Sequence, residues 1–212
     1  MIEIQRYSPV SFNLVPKRME KRDNWKVALE YEKEDAETPF IIDLSHRTRF
    51  DVQDSSISSI KPFGITIPDT PGLSVFDHGF LVNRMNRTQA SLWHLSGKEI
   101  PEIPEEPAYT DVTESTMFIA LVGENVFSIA EKLTALDFLD PEKKPPFLFQ
   151  GPVCHVPCQI VTMKKEGDLP GLMFTCSRGY GQVMIHAVME AGKEFGLSPA
   201  GEDFFTSWLE KL

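Results

Sequence analysis

The hydrophobic pattern reads as short strands through the first half of the chain and as strands alternating with helices in the second. Residues 1–24 mix apolar and basic positions around Pro9 and Pro16, and read as an arm laid over a domain or another subunit. Residues 26–32 have the composition of a short strand, and 33–37 that of a polar turn. The first strong strand signal spans 39–52. Phe40, Ile41 and Ile42 are followed by Leu44, Thr48, Phe50 and Val52, the last three alternating as on a strand with one wet face. Residues 55–67 have no clear rhythm, broken by Gly64 and followed by Pro68, and Asp69-Thr70-Pro71-Gly72 is a turn by composition. Two further strands, 79–86 and 89–95, flank Asn86-Arg87-Thr88.

Glu99, Glu102, Glu105 and Glu106 alternate with Pro101, Pro104 and Pro107, a spacing that neither a helix nor a central strand can hold. This extended acidic stretch divides the chain into an arm (1–24), a first half (25–98), a linker (99–107) and a second half (108–212). Residues 117–122 are an apolar strand ending at Gly123. A helix follows, with Val126, Ile129, Ala130, Leu133 and Leu136 on one stripe. Residues 152–163 and 172–176 read as two strands around the turn Glu166-Gly167-Asp168. Ser177 can cap a helix running to about Phe195, with an inner stripe of Tyr180, Val183, Met184, Ala187, Ala191 and Phe195 and Gly196 at its end. Residues 203–212 read as a short terminal helix. The succession strand, helix, strand, strand, helix is an α+β arrangement with antiparallel pairing. A short internal match reinforces the division at the linker: Asp43, Ser45, Thr48 and Phe50 recur in kind as Asp111, Thr113, Thr116 and Phe118, at a constant offset of 68 residues.

Composition narrows the range of functions. A chain of 212 residues can build a substantial core. Its 31 acidic against 21 basic side chains leave a formal charge of −10, which repels phosphate backbones and argues against nucleic acid as partner. The one basic cluster, Lys17, Arg18, Lys21 and Arg22, is interrupted by Glu20 and followed by Asp23, as on a solvated face. No apolar run approaches the roughly 20 residues of a membrane span, and the first residues lack the pattern of a secretory signal, so the expectation is a cytoplasmic protein. In that compartment Cys154, Cys158 and Cys176 are expected as reduced, buried thiols rather than a disulfide.

Several residues nonetheless hold chemistry. Cys154-His155-Val156-Pro157-Cys158 with Cys176 offers zinc-type ligands, but structural zinc wants four. Alternation on one strand would also turn His155 away from Cys154 and Cys158. His46 beside Arg47 and Arg49 reads as an anion-binding cluster or as the polar face of a strand. Asp77-His78-Gly79 reads as an acid–base pair or as a turn. Ser177-Arg178-Gly179-Tyr180-Gly181 opens a helix but lacks the lysine of a phosphate loop, and no Gly-x-Ser-x-Gly elbow occurs.

The second half resembles a known family. Asp111-Val112-Thr113 leading into Met117-Phe118-Ile119-Ala120-Leu121-Val122-Gly123, the helix ending Leu133-Thr134-Ala135-Leu136-Asp137-Phe138, the Gly-led strand at Gln150-Gly151-Pro152 and the helix start Ser177-Arg178-Gly179-Tyr180 are similar to the glycine-cleavage T-protein folate domain, and within it to the gamma subunit of sarcosine oxidase. Ser8-Pro9 and Pro68-Asp69-Thr70-Pro71 fall where gamma subunits carry similar short motifs. Gamma subunits typically carry basic and small residues where this chain has Cys154, His155 and Cys158. The resemblance implies a T-protein-like α+β fold of two pseudo-repeated β-α-β-β units with antiparallel sheets and flanking helices.

The resemblance also implies two functions. One is a non-catalytic accessory subunit without a cofactor of its own, bound to a larger subunit of a flavin- and folate-using amine oxidase, or else self-associating. The other is a small folate-dependent aminomethyltransferase or demethylase holding tetrahydrofolate. Asp43 and Asp111 are the positions nearest the family's strand-entry motif and the candidates for a folate contact. The alternative role for each is to cap a turn, which Asp does readily.

Overall fold

The computed structural model describes residues 5–32, 38–97 and 99–212, and the turn expected at 33–37 lies outside the described residues. The chain forms a hairpin of β1 (Arg18–Arg22) and β2 (Trp25–Glu30), and two larger sheets. The first larger sheet has six strands in the order β10 (Phe147–Val153), β11 (Val156–Lys164), β12 (Gly171–Ser177), β9 (Thr116–Val122), β3 (Phe40–Asp43) and β13 (Ser198–Ala200). All its pairings are antiparallel except β13 on β3. The second has five antiparallel strands in the order β5 (Ser74–Asp77), β6 (Phe80–Arg84), β7 (Gln89–His94), β4 (Arg49–Gln53) and β8 (Tyr109–Asp111). The helices are α1 (Val126–Glu131), α2 (Gly181–Gly192) and α3 (Glu202–Leu209). This is a mixed α+β fold, and no helix among the described residues is long and apolar enough to cross a membrane.

Period-two alternation in β9 explains the layering. Met117, Ile119 and Leu121 face one core, shared with Val126 and Ile129 of α1 and Met184, Ile185 and Val188 of α2. Phe118, Ala120 and Val122 face a second core, shared with Leu81 and Trp93 of the five-stranded sheet and Phe205 and Trp208 of α3. A strand covered on both faces needs a continuous apolar run, and Met117 through Val122 supply it. The outer face of the five-stranded sheet, with Phe50, Val52, Phe80, Val82 and Leu92, is covered by Ile57, Ile65 and Ile67 from the long loop after β4. At one side the sheets join: Leu73 bridges Phe147, and the Leu148 N–H donates to the Gly72 carbonyl at 2.7 Å.

Four readings of the sequence are corrected. Residues 39–52 are two strands in different sheets, because the chain turns after Asp43 and crosses over before Arg49. Residues 152–163 are the two arms of a hairpin that turns at Cys154-His155, where both residues take left-handed φ of 48° and 66°. The alternation that would have put Cys154 and Cys158 on one strand face therefore does not apply. Helix α1 ends at Glu131, leaving Leu133 and Leu136 in the following loop. In α2 the buried positions are Gly181, Met184, Ile185, Val188 and Gly192, whereas Tyr180 and Val183 are exposed. The true stripe is rotated by one position because the arm lies along the other edge of the helix: Arg178 donates to the Tyr7 carbonyl and Gln182 to that of Ser11. Four short strands, β1, β5, β8 and β13, carried no signal distinct from their surroundings.

Candidate functional site

The ionisable residues singled out in the sequence lie in separate places. Asp43 ends β3 and Asp111 ends β8, and each accepts a hydrogen bond from the backbone N–H two residues on, Ser45 at 2.9 Å and Thr113 at 2.8 Å. These are Asx turns. Each turn then grips the neighbouring crossover. Ser45 Oγ accepts the Phe118 N–H at 3.1 Å, and Thr113 Oγ1 accepts the Arg49 N–H at 3.0 Å.

Arg49 lies between the two turns, 1% exposed. Its guanidinium donates to the carbonyls of Arg47 and Thr113, both at 2.6 Å, to the Thr116 carbonyl at 3.1 Å and to Thr116 Oγ1 at 3.0 Å. Burial pulls its pKa down to about 9, against the opposing influence of the Asp43 and Asp111 charges. It therefore stays protonated at neutral pH, held by carbonyl dipoles and a cation–π contact 5.1 Å above Phe118.

His46 and Arg47 point elsewhere, onto Glu202 at the first turn of α3. His46 Nε2 lies 2.7 Å from the Glu202 carboxylate, Arg47 Nη2 2.6 Å and Arg22 Nη2 2.9 Å. Burial alone would raise the Glu202 carboxyl. The hydrogen bonds from His46 and Arg22 and the charge of Arg47 outweigh it, so the carboxyl is held well below its ordinary range. Burial pushes the His46 imidazole down, so at neutral pH it is the neutral ring that donates Nε2–H. This cluster ties α3, the β1–β2 hairpin and the crossover at 44–48 together, in a place closed to substrate. His78 is on an exposed hairpin tip, with Nδ1 3.4 Å from Asp77.

A polar recess with open space lies between the sheets. In β4, Phe50 and Val52 face outward, so Arg49 and Asp51 face inward; in β7, Gln89, Ser91 and Trp93 do the same. A hydrogen-bonded row crosses this inner face. Ser74 Oγ donates to Asn83 Oδ1 at 2.7 Å, and Asn83 Nδ2 donates to Ser91 Oγ at 3.3 Å. Asp51 stands next in register and accepts from Gln89 at 2.8 Å and Gln53 at 2.6 Å. The six-stranded sheet opposes it with Thr116, Gln159 and Thr175, and about 180 Å³ of open space lies between. Gln159 Oε1 is buried there without a hydrogen-bond partner. An unpaired buried carbonyl costs about 1–3 kcal/mol, so this oxygen is an acceptor awaiting a donor. The recess can hold a small, uncharged, hydrogen-bonding molecule, with Asp51 placed to accept from an amine. Neither Asp43 nor Asp111 lines it.

Sequence reasoning missed Asp51, Gln89, Ser91, Gln159 and Thr175. The available signal was the polar half of each alternating strand, which a single sequence assigns to solvent. Among the described residues, no group of three or more His, Cys, Asp or Glu side chains could hold a metal ion. Cys154 sits in the hairpin turn, half-buried, while Cys158 and Cys176 are buried on the face covered by the helices.

Two outcomes are expected. Replacing Arg49→Lys keeps the charge but cannot reach both crossovers from one nitrogen, and should cost about 3 kcal/mol in urea denaturation. Acid should destabilise the fold in two steps. The folded-state pKa values of His46 and of His94 (about 4, lowered by burial and then by Arg47) lie below the ordinary 6.5, so the unfolded chain binds protons first and stability falls as pH drops below about 6.5. Glu202, also depressed, adds a second loss below its ordinary value near 4.5. Glu202→Gln should remove that second step and cost about 3 kcal/mol at pH 7, because it leaves the buried Arg47 guanidinium without its counter-charge. Tryptophan fluorescence during urea titration at several pH values checks both.

No family model matches the sequence, and no curated protein matches it. Solved structures do. A chain of the heterotetrameric sarcosine oxidase from Corynebacterium sp. U-96, in complex with pyrrole 2-carboxylate, superposes with a TM-score of 0.61 over 77% of this chain and 88% of that one, at 12% identity. The glycine cleavage system aminomethyltransferase T from Bartonella henselae superposes with a TM-score of 0.54 over 89% of this chain, at 10% identity, and the match covers 56% of its own length. The chain thus has the fold seen in both, one a component of a four-subunit oxidase and the other a larger transferase.

Proposed function

We propose that this chain is a non-catalytic accessory subunit of a larger amine-oxidising or one-carbon assembly in the cytoplasm, comparable to a gamma subunit of sarcosine oxidase. The observation that carries this reading is the use made of its ionisable groups. Asp43 and Asp111 are turn acceptors, Arg49 is saturated by carbonyls, and Glu202, His46 and Arg47 neutralise one another. Catalysis needs a titratable group within reach of a substrate atom, and these groups have none. The likeness to one chain of a heterotetramer, over most of that chain's length, supports a larger protein partner, with self-association as the other form. The paired Asx turns support a duplicated unit as the origin of the two halves, with the helix present only in the second copy.

Affinity purification of the tagged protein from its host, followed by mass spectrometry, should recover a stoichiometric larger subunit. A monomer that recovers no partner would overturn the reading.

A second reading rests on the inter-sheet recess: the uncharged pterin ring of tetrahydrofolate, or a related small molecule, held between the sheets with Asp51 and Gln159 as its polar contacts and the charged glutamate tail outside. Calorimetry with tetrahydrofolate decides this one. Binding in the micromolar range that weakens at least tenfold in Asp51→Asn would support it, and absence of heat with folded protein would remove it.

A further inference from the structure

We propose that Cys158 and Cys176 form a cross-strand dithiol that closes to a reversible disulfide when the protein meets a peroxide, leaving Cys154 outside the bond. The register provides the first argument: Cys158 of β11 and Cys176 of β12 are direct antiparallel partners. Their side chains share the face covered by the helices, where both belong to one core cluster. Directly opposed residues carry Cβ atoms about 4.5–5.5 Å apart, and a disulfide wants about 3.8 Å, so closure needs a local pinch rather than a rearrangement.

The second argument is the position of the pair. It is the last rung of the β11–β12 ladder, and the next residue, Pro157, has no N–H with which to extend it. Just beyond lies the Cys154-His155 turn. The hairpin turns at Asp23-Asn24 and His78-Gly79 use residues that tolerate positive φ, whereas at Cys154-His155 the cysteine adopts a φ of 48° without that help. A covalent rung at this point would fasten a strained hairpin tip to the centre of the sheet.

The chemistry balances with peroxide as oxidant. Cys158 Sγ lies 3.3 Å from the Val156 carbonyl and Cys176 Sγ 3.6 Å from that of Ser177; across the rung the pairing of the two thiols pushes Cys158 up and draws Cys176 down, so the thiolate forms first at Cys176. That thiolate attacks a peroxide oxygen, breaking the O–O bond to give a sulfenic acid and hydroxide. The Cys158 sulfur then attacks the sulfenic sulfur and displaces its hydroxyl group, which leaves as water once the Cys158 proton is transferred. Overall, two thiols are oxidised, and the peroxide is reduced to water.

The test uses wild-type protein and Cys154→Ser, each treated while folded with hydrogen peroxide, then unfolded in urea, alkylated with iodoacetamide and digested with trypsin. No Lys or Arg lies between Cys154 and Cys158, whereas Lys164 and Lys165 separate them from Cys176. In Cys154→Ser, a linked pair of peptides can therefore only be the Cys158–Cys176 bond. Both proteins should lose two alkylatable thiols, recover them with dithiothreitol, and yield that link. Absence of the link in Cys154→Ser, overoxidation of Cys176 in its place, or a wild-type link that disappears in the variant would overturn the proposal.

Discussion

The structure depends on a buried guanidinium. Two crossovers carry the chain between the sheets, one from β3 to β4 and the other from β8 to β9, and both leave backbone carbonyls turned inward where no ladder can take them. Arg49 satisfies the carbonyls of Arg47, Thr113 and Thr116 from one planar group. A lysine would present a point charge, and an apolar residue would leave several acceptors unpaired, each costing about 1–3 kcal/mol. Arginine is the side chain whose fork spans both turns. Its charge is tolerated because Asp43 and Asp111 stand near enough to offset burial while spending their own oxygens on the turns.

That arrangement shapes what remains for function. With Arg49 held by backbone, the recess beside it has Asp51 as its carboxylate and otherwise amides, hydroxyls, Val112 and the Trp93 ring. The Glu202 cluster follows the same logic at the other end of the crossover, where a buried carboxylate with three cationic or proton-donating partners joins α3 to the hairpin and to the 44–48 turn. Charge in this protein is largely architectural, and that underlies its reading as an accessory component.

Much of the fold could be read from single segments. The run Met117–Val122 announced an apolar strand, and Phe80–Arg84 and Gln89–His94 announced a pair. The match between Asp43-x-Ser45 and Asp111-x-Thr113 marked two places that form equivalent turns. These features are local: periodicity, turn chemistry and proline spacing act within a few residues.

What the sequence by itself determined is therefore the α+β class and most of the strands, with turn capping as one of two alternatives for its paired aspartates. Only the tertiary structure decided where residues 39–52 break between sheets, which edge of α2 is buried, and that the polar sides of β4 and β7 face a second sheet instead of water. It also decided that Cys158 and Cys176 meet. The physical reason is common to all of these. Alternation says that a residue faces one side of a strand, but what covers that side is set by contacts between segments far apart in the chain. Arg49 shows this most clearly, since its partners at Thr113 and Thr116 lie beyond the linker.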